Sequence, residues 1–140
     1  MSVFIDTNIL VYRFDNDSPA KQRTARDRYT QHVRNGEALF SMQVLQEFYS
    51  VVTRKLARPM KPQDAKAVVA ELSTLPLTAI TPTLLLTAID KSVALSLSFW
   101  DALIVQSAIA GGAHTVLSED FQHGQVIDGV RIENPFLKAK

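Results

Sequence analysis

The sequence predicts an α/β fold, a sandwich in which helices cover a small, mostly parallel central sheet. Short apolar segments that fit buried strands alternate with longer segments that carry apolar residues at helical spacing. Proline and glycine residues separate these segments, and no repeat, low-complexity stretch or linker interrupts them. The 140 residues are therefore expected to form one domain spanning residues 1–140.

The N-terminal half is expected to contain one strand followed by three helices. Three consecutive apolar residues at positions 3–5 fit a buried strand. Ser18 as N-cap and Pro19 at the first helical position open a charged helix over residues 20–34, which stops at Asn35-Gly36. Residues 38–40 fit either a second short strand or the entry to the next helix. That helix spans residues 42–56, and proline-bounded residues 62–75 form the third.

The C-terminal half is expected to contain two helices and up to three strands. Residues 77–80 are a candidate strand. Thr81-Pro82 opens a helix over residues 83–95, and Ser98 opens another over residues 99–110, which Gly111-Gly112 ends. The remaining strand candidates are residues 114–118 and, after the Asp128-Gly129 turn, residues 130–132.

The composition excludes several classes of protein. Hydrophobic residues make up 46% and charged residues 21% of the chain, a balance typical of globular proteins rather than of disordered tails or fibres. The chain has no cysteine and three scattered histidines, which excludes disulfides and makes zinc a poor candidate. The net charge of +1 gives no overall basic field, so any contact with nucleic acid needs a local patch. No segment approaches the ~20 apolar residues of a membrane span, and a cytoplasmic protein is expected.

Acidic residues follow two of the predicted strands. Asp6 comes directly after the first strand, and Glu119 and Asp120 follow the strand at residues 114–118. Because ligands of parallel sheets collect at the carboxyl ends of the strands, these acids are expected along one edge of the sheet. Each of them alone also fits an ordinary turn or helix cap.

Two further acids occupy helix positions with apolar neighbours. Asp101 lies on the apolar face of its predicted helix, and Glu47 has apolar residues as three of its helical neighbours. A carboxylate facing the core is costly unless it is paired, hydrogen-bonded or bound to a metal. Asp101 could instead complete a capping box with Ser98, and Glu47 could pair with a cation at the edge of the apolar stripe.

A hard divalent cation would account for all four acids together. Four carboxylates that converge without a positive partner would raise one another's pKa values. Mg²⁺ or Mn²⁺ is held by a few carboxylates together with water and substrate phosphate oxygens. The chemistry that this arrangement indicates is metal-assisted hydrolysis of a phosphodiester bond.

Four segments resemble, in order and setting, the motifs of the PIN-domain ribonucleases: FIDTNIL, SMQVLQEFYSVV, FWDALIVQSA and VLSEDF. The chain length resembles that of the VapC-like toxins of type II toxin-antitoxin pairs. The resemblance implies a PIN-like αβα sandwich and a sequence-selective endoribonuclease that requires Mg²⁺ or Mn²⁺. It also implies a cognate antitoxin that holds the enzyme inactive, and a homodimer.

The resemblance assigns catalytic and metal-binding roles residue by residue. Asp6, Glu47 and Asp101 match the first three acids of the family. The fourth match, Asp120, is less regular, because Phe121 follows it directly, whereas the family often has an aromatic residue three positions later. Glu119 is the competing candidate for the fourth acid. Small polar residues beside the acids match positions that could orient a carboxylate or a metal-bound water, or could merely form turns and caps. These supporting residues are Thr7, Asn8 and Ser118.

Contacts with RNA must come from other residues. Arg54, Lys55, Arg58 and Lys61 follow the Glu47 helix and could bind an RNA backbone. The same cations could simply favour the dipole at the C-terminus of that helix. Aromatic residues could in addition stack on the bases of single-stranded RNA, with Tyr12, Phe14 and Tyr49 as candidates.

Other classes of protein share parts of the same sequence pattern, and each lacks support at a particular position. An aspartyl-phosphate phosphatase needs a second acid two residues after its nucleophile, where this chain has Asn8. A receiver-like signalling domain needs a lysine near the last strands, which the LSED segment lacks. The non-enzymatic alternative is an acid-pocket module that binds RNA or a partner without cleaving anything, and the presence of all four acids argues against it.

Overall fold

The computed structural model describes residues 2–137, within which strands and helices alternate. The strands are β1 (Ser2–Ile5), β2 (Ala38–Ser41), β3 (Leu77–Thr78), β4 (Ala113–Leu117), β5 (Val126–Ile127) and β6 (Val130–Glu133). The helices are α1 (Thr7–Tyr12), α2 (Pro19–Arg34), α3 (Met42–Arg54), α4 (Pro62–Leu72), α5 (Pro82–Leu95) and α6 (Phe99–Ala110). The predicted α/β class is confirmed.

The central sheet has the strand order β3-β2-β1-β4-β6-β5. All neighbouring strands are parallel except β5 and β6, which form an antiparallel hairpin. From β1 the chain first builds the sheet outward through β2 and β3, and it then returns to the other side of β1 to form β4. The gap between β1 and β4 is therefore a topological switch point, the place where open α/β sheets bind ligands.

The helices form two groups. Helix α1 contacts both α2 and α3, α3 contacts α4, and α2 and α3 also contact β2. Helix α6 packs against β2, β3, β4 and β6, while α5 packs mainly on α6 through a small separate cluster around Leu84 and Leu103. The main core between these layers contains fully buried phenylalanines from β1, β2 and α3, namely Phe4, Phe40 and Phe48.

Most predicted elements are confirmed with small differences in their bounds. Residues 38–40 belong to a strand, β2, whose four residues are all buried. Helix α4 ends at Leu72 rather than at residue 75, and α3 ends at Arg54 rather than near residue 56. Helix α1 and strand β5 were not predicted, because six and two residues are too few to show a periodicity.

Within residues 2–137, every helix is too short or too polar to cross a bilayer.

Candidate functional site

The carboxylate of Asp6 lies at the switch point and is buried. Asp6 is the N-cap of α1, where its Oδ1 accepts a hydrogen bond of 2.7 Å from the backbone N–H of Thr7. Its Oδ2 accepts a hydrogen bond of 2.7 Å from the hydroxyl of Ser118, which follows β4. Each bond orients one carboxylate oxygen, so Asp6 has a fixed position between the ends of β1 and β4.

Asn8 holds the loop after β4 in place. Its Oδ1 accepts from the backbone N–H of Glu119 at 3.2 Å, and its Nδ2 donates to Oδ2 of Asp120 at 3.0 Å. The hydroxyl of Ser118 also accepts from the backbone N–H of Asp120 at 3.1 Å. The supporting residues predicted from the sequence therefore connect the acids of both strand ends.

The two acids of this loop have different surroundings. The carboxylate of Glu119 accepts from Lys21 Nζ at 2.5 Å and from the hydroxyl of Tyr12 at 2.6 Å. Lys21 also lies over the rings of Tyr12 and Phe136. Asp120 is exposed, and within residues 2–137 it forms no ion pair with a lysine or arginine. Asp120 is thus the acid of the pair that remains available to a ligand.

Asp120 and Glu47 line the same depression, here called the acid cleft. The acid cleft has a volume of about 310 Å³. Its walls come from α1, α3 and the loops that follow α1 and β4: Thr7, Asn8, Val11, Tyr12, Asp15, Glu47, Val51 and Asp120. The hydroxyl oxygen of Thr7 is buried at this cleft without a hydrogen-bond partner in the described part of the chain.

The expectation that Glu47 faces the core is wrong, and Asp101 faces it only in part. Glu47 is exposed at the border of α3, whose buried face consists of other residues, including Val44 and Phe48. Asp101 is half-buried in the first turn of α6, and its backbone N–H donates to the Ser98 hydroxyl at 3.1 Å. The apolar neighbours misled because Glu47 lies at the edge of the buried face of α3 and because α6 is apolar on most sides, so spacing alone does not define which residues are buried.

The predicted acids influence one another electrostatically. Burial raises the pKa of Asp6 to about 7, against the hydrogen bonds from Ser118 and Thr7, and the charges of Asp120 and Glu47 add to the increase. Desolvation of the Glu47 carboxylate by its neighbours also raises its pKa, and the charges of Asp120 and Asp101 add to the increase. Partial burial and the charge of Asp120 raise the pKa of Asp101. A positive ion is the species that would relieve this repulsion.

The residues at the cleft fit a hard cation that retains water ligands. Among residues 2–137, no three acidic or histidine side chains lie close enough to hold an ion directly among them. All the donors are oxygen atoms, as Mg²⁺ and Mn²⁺ prefer, and these ions commonly use one or two carboxylates with waters filling the other positions. The unpartnered hydroxyl of Thr7 is a further oxygen at the same place.

The predicted basic residues lie at or beyond the C-terminal end of α3. Arg54, Lys55, Arg58 and Lys61 are all exposed, and within residues 2–137 none of them forms an ion pair. Arg58 lines a second depression, of about 250 Å³, together with Asp15, which also lines the acid cleft. Arg54 and Lys55 occupy the last turn and the C-cap of α3, so a favourable interaction with the helix dipole equally accounts for their positions.

Sequence reasoning missed several residues around the site. Lys21 was not singled out, because its partner Glu119 is 98 residues away in the chain. Tyr12 was considered only for base stacking, and its hydroxyl is bound to Glu119. Phe14 packs edge-on against the buried Phe48, and Tyr49 lines a different groove, between α3 and α4. Their partners are all distant in sequence, so local patterns could not reveal these roles.

Comparisons with known proteins match these observations. The sequence model of the PIN domain matches residues 3–127. VapC20 of Mycobacterium tuberculosis, a sarcin-ricin loop cleaving toxin, has 19% identity and a TM-score of 0.67, covering 85% of this chain and 90% of its own. DNA-bound VapBC from Salmonella typhimurium has 19% identity and a TM-score of 0.66, covering 96% and 98%. VapBC2 from Rickettsia felis, bound to a fragment of promoter DNA, has 21% identity and a TM-score of 0.67, with the same coverage. These similarities are similarities of fold, and no curated protein sequence matches the chain significantly.

Proposed function

The chain belongs to the PIN-domain family, and from this premise we propose that it is a metal-dependent endoribonuclease that hydrolyses phosphodiester bonds of RNA. We further propose that it is the cytoplasmic toxin of a toxin-antitoxin pair, in keeping with its VapC-like fold. The observation that carries the proposal is the placement of Asp6 and Asp120 at the ends of β1 and β4, where Ser118 and Asn8 hold them, with Glu47 on the α3 wall of the acid cleft.

In this proposal the four acids hold Mg²⁺ or Mn²⁺, in part through water. When bound, the ion would supply Lewis acidity for phosphodiester hydrolysis and would lower the pKa of a water molecule that it holds. Asp6 is the fixed element, because Thr7 and Ser118 orient its two oxygens. Asn8 restrains Asp120 through its amide, while Glu47 on α3 forms the opposite wall of the acid cleft. Glu119 stabilises the loop through Lys21 and takes no direct part.

The substrate backbone is proposed to run along the basic residues beyond α3. Their positive charges would bind backbone phosphates outside the negatively charged cleft. Arg58 is the cation with the most direct connection, because its depression borders the acid cleft through Asp15. Arg54, Lys55 and Lys61 would extend this contact.

The proposed protein partners are a cognate antitoxin and a second copy of the chain. A cation from an antitoxin segment could enter the acid cleft in place of the metal, because the coupled carboxylates attract positive charge. The outer face of α5 supports a homodimer, since Leu86 and Val93 leave 62% and 79% of their surface exposed there.

A cleavage assay tests the enzymatic proposal. The purified protein should cleave single-stranded RNA with Mg²⁺ or Mn²⁺, and EDTA should abolish the activity. Asp101→Asn should be inactive yet at least as stable as the wild type, because it removes one of the repelling charges. Undiminished cleavage in EDTA would contradict the metal mechanism, and an unfolded Asp101→Asn protein would show that Asp101 is a structural cap. A well-folded wild type that binds RNA but never cleaves it would support the non-catalytic acid-pocket module instead.

A further inference from the structure

A third depression shares Glu47 with the acid cleft. It has a volume of about 430 Å³ and is here called the indole groove. Its wall consists of Gln43, Gln46, Glu47 and Ser50 from α3 and of Trp100 from α6. Glu47 lines both depressions, so a ligand in the indole groove would lie next to the acids.

The indole of Trp100 is unusually exposed for so large an apolar group. It leaves 63% of its surface accessible, and its ring makes one edge-on contact with Phe99, at a centroid distance of 4.9 Å. Trp100 directly precedes Asp101 in the first turn of α6, so the helix backbone keeps these two residues close together. An exposed aromatic face beside a phosphodiester site can stack on a nucleobase.

The amide of Gln43 connects the two walls of the indole groove. Its Nε2 lies 3.4 Å from the backbone oxygen of Trp100, to which it donates a hydrogen bond. The residue is only 4% exposed, and within residues 2–137 its Oε1 has no hydrogen-bond partner. A buried amide oxygen without a partner is costly, and a donor group of a ligand or a bridging water would satisfy it.

The chemistry of the indole groove suits a base better than a phosphate. Apart from Glu47, its side chains are amides, a hydroxyl and an indole, none of which carries a charge. Amides read the edges of bases by paired hydrogen bonds, whereas the charge of Glu47 would repel a phosphate. Gln43, Glu47, Ser50 and Arg54 recur at helical spacing along one face of α3, over about 16 Å. This face leads from the indole groove past the acids to the basic residues.

We infer that the indole groove binds the base of a nucleotide that flanks the scissile phosphate of single-stranded RNA, with Trp100 stacking on it. The inference rests on the proposed ribonuclease function and extends it to substrate recognition. The aromatic residues singled out in the sequence suit this role less well. Tyr12 is bound to Glu119, Phe14 packs on Phe48, and Tyr49 faces the groove between α3 and α4.

Trp100 is the only tryptophan of the chain, so its fluorescence reports on the indole groove directly. The binding experiment uses Asp120→Asn as background in EDTA, so that no RNA is cleaved, and titrates it with a fluorescein-labelled single-stranded oligoribonucleotide. The tryptophan emission should be quenched to saturation, in step with the anisotropy of the label. Adding Trp100→Ala should raise Kd by about 5- to 100-fold, and Trp100→Phe should restore most of the affinity.

Two controls distinguish stacking on the indole from contacts with the RNA backbone and from a general loss of apolar surface. An abasic oligonucleotide of equal length should bind the background and the Trp100→Ala protein equally well. Val126→Ala removes another side chain that is 63% exposed, on the edge strand β5, and should leave RNA affinity unchanged. In cleavage assays on the otherwise wild-type protein, Trp100→Ala should raise KM much more than it lowers kcat.

Several results would overturn the inference. Unchanged RNA affinity of the Trp100→Ala protein, or unchanged emission at saturating RNA, would exclude stacking on the indole. Emission that changes with protein concentration rather than with RNA would place Trp100 in an interface between copies. Because the binding experiment needs no cleavage, stacking can fail while the wild type still cleaves RNA with Mg²⁺. Likewise, stacking can be observed in a protein that cleaves nothing.

Discussion

Replacing Asp6 by asparagine should stabilise the protein while abolishing its activity. Asparagine has nearly the same shape, and its Oδ1 can still accept the hydrogen bond from the backbone N–H of Thr7 that caps α1. What it removes is a buried negative charge between the ends of β1 and β4. Removing a charge from the proposed metal site while retaining the helix cap separates the function of Asp6 from its structural contribution.

The expected gain follows from the pKa of the buried carboxyl. The pKa of Asp6 is raised from 3.8 to about 7, and each pKa unit corresponds to ~1.4 kcal/mol. Ionised Asp6 therefore lowers the free energy of unfolding by about 4 kcal/mol at a pH of about 8. Because the Ser118 hydroxyl loses its carboxylate acceptor, about 1 kcal/mol of the gain is offset. The net gain of about 3 kcal/mol should raise Tm by about 10 °C.

The sign of the pH dependence is fixed by the same pKa. Because the pKa of Asp6 is higher in the folded than in the unfolded state, the folded protein binds this proton more tightly. The stability contributed by that proton is complete below a pH of about 4 and is lost as the pH rises through about 7. The advantage of Asp6→Asn should therefore be close to zero at a pH of about 4.5 and reach its full size at a pH of about 8.

Thermal unfolding followed by circular dichroism in EDTA measures this effect at both pH values. Asp90→Asn is the matched control, since it makes the same chemical change at an exposed position of α5 and should alter Tm little. Mg²⁺ should then raise the Tm of the wild type and of Asp90→Asn more than that of Asp6→Asn. A lower Tm for Asp6→Asn at the higher pH would refute the reasoning, because the carboxylate would then contribute more as a cap and hydrogen-bond acceptor than its burial costs.

Three further predictions concern the loop after β4, the basic residues and the antitoxin. Asp120→Asn should be inactive, whereas Glu119→Gln should keep its activity. Glu119→Gln should lose at most about 1 kcal/mol of stability, because it breaks the ion pair with Lys21. An inactive Glu119→Gln protein and an active Asp120→Asn protein would show that Glu119 is the catalytic acid. Replacing both Arg54 and Arg58 by alanine should raise the Kd for single-stranded RNA and reduce the slope of log Kd against log salt concentration by about 1.4. The melting temperature checks that the variant is folded. An unchanged slope would mean that these arginines only interact with the helix dipole. If a cation of the antitoxin enters the acid cleft, the affinity for the antitoxin measured by calorimetry should fall as the Mg²⁺ concentration rises at fixed ionic strength. An affinity that is independent of Mg²⁺ and falls with any salt would place the antitoxin on the basic residues instead.

The sheet could be predicted because its signals are local. Runs of three to five apolar residues between helical segments indicate buried strands, and strands separated by helices indicate parallel pairing. That pairing places Asp6 and the acids after β4 at one edge before any coordinates are known. The strand order, and with it the switch point between β1 and β4, depends on where each helix crosses the sheet, which periodicity does not encode.

The distinction between Glu119 and Asp120 could not be drawn from the sequence. Both follow the same strand, and both are carboxylates beside Ser118. The difference comes from Lys21 on α2, which neutralises Glu119, and from the amide of Asn8, which holds Asp120. Because these partners lie about a hundred residues earlier in the chain, only the folded arrangement reveals which acid is available.

The sequence left open whether Asp6 forms a turn or a ligand site, and the geometry shows that the two roles are compatible. One oxygen caps α1 through Thr7 and the other accepts from Ser118, so both oxygens have structural partners. An ionised carboxylate has about four acceptor sites, and these two bonds use only half of them. The cap fixes the carboxylate at the strand end, and the remaining lone pairs are available to an ion. Helix capping and the proposed metal binding therefore place the same requirement on this position, a short acidic side chain directly after β1.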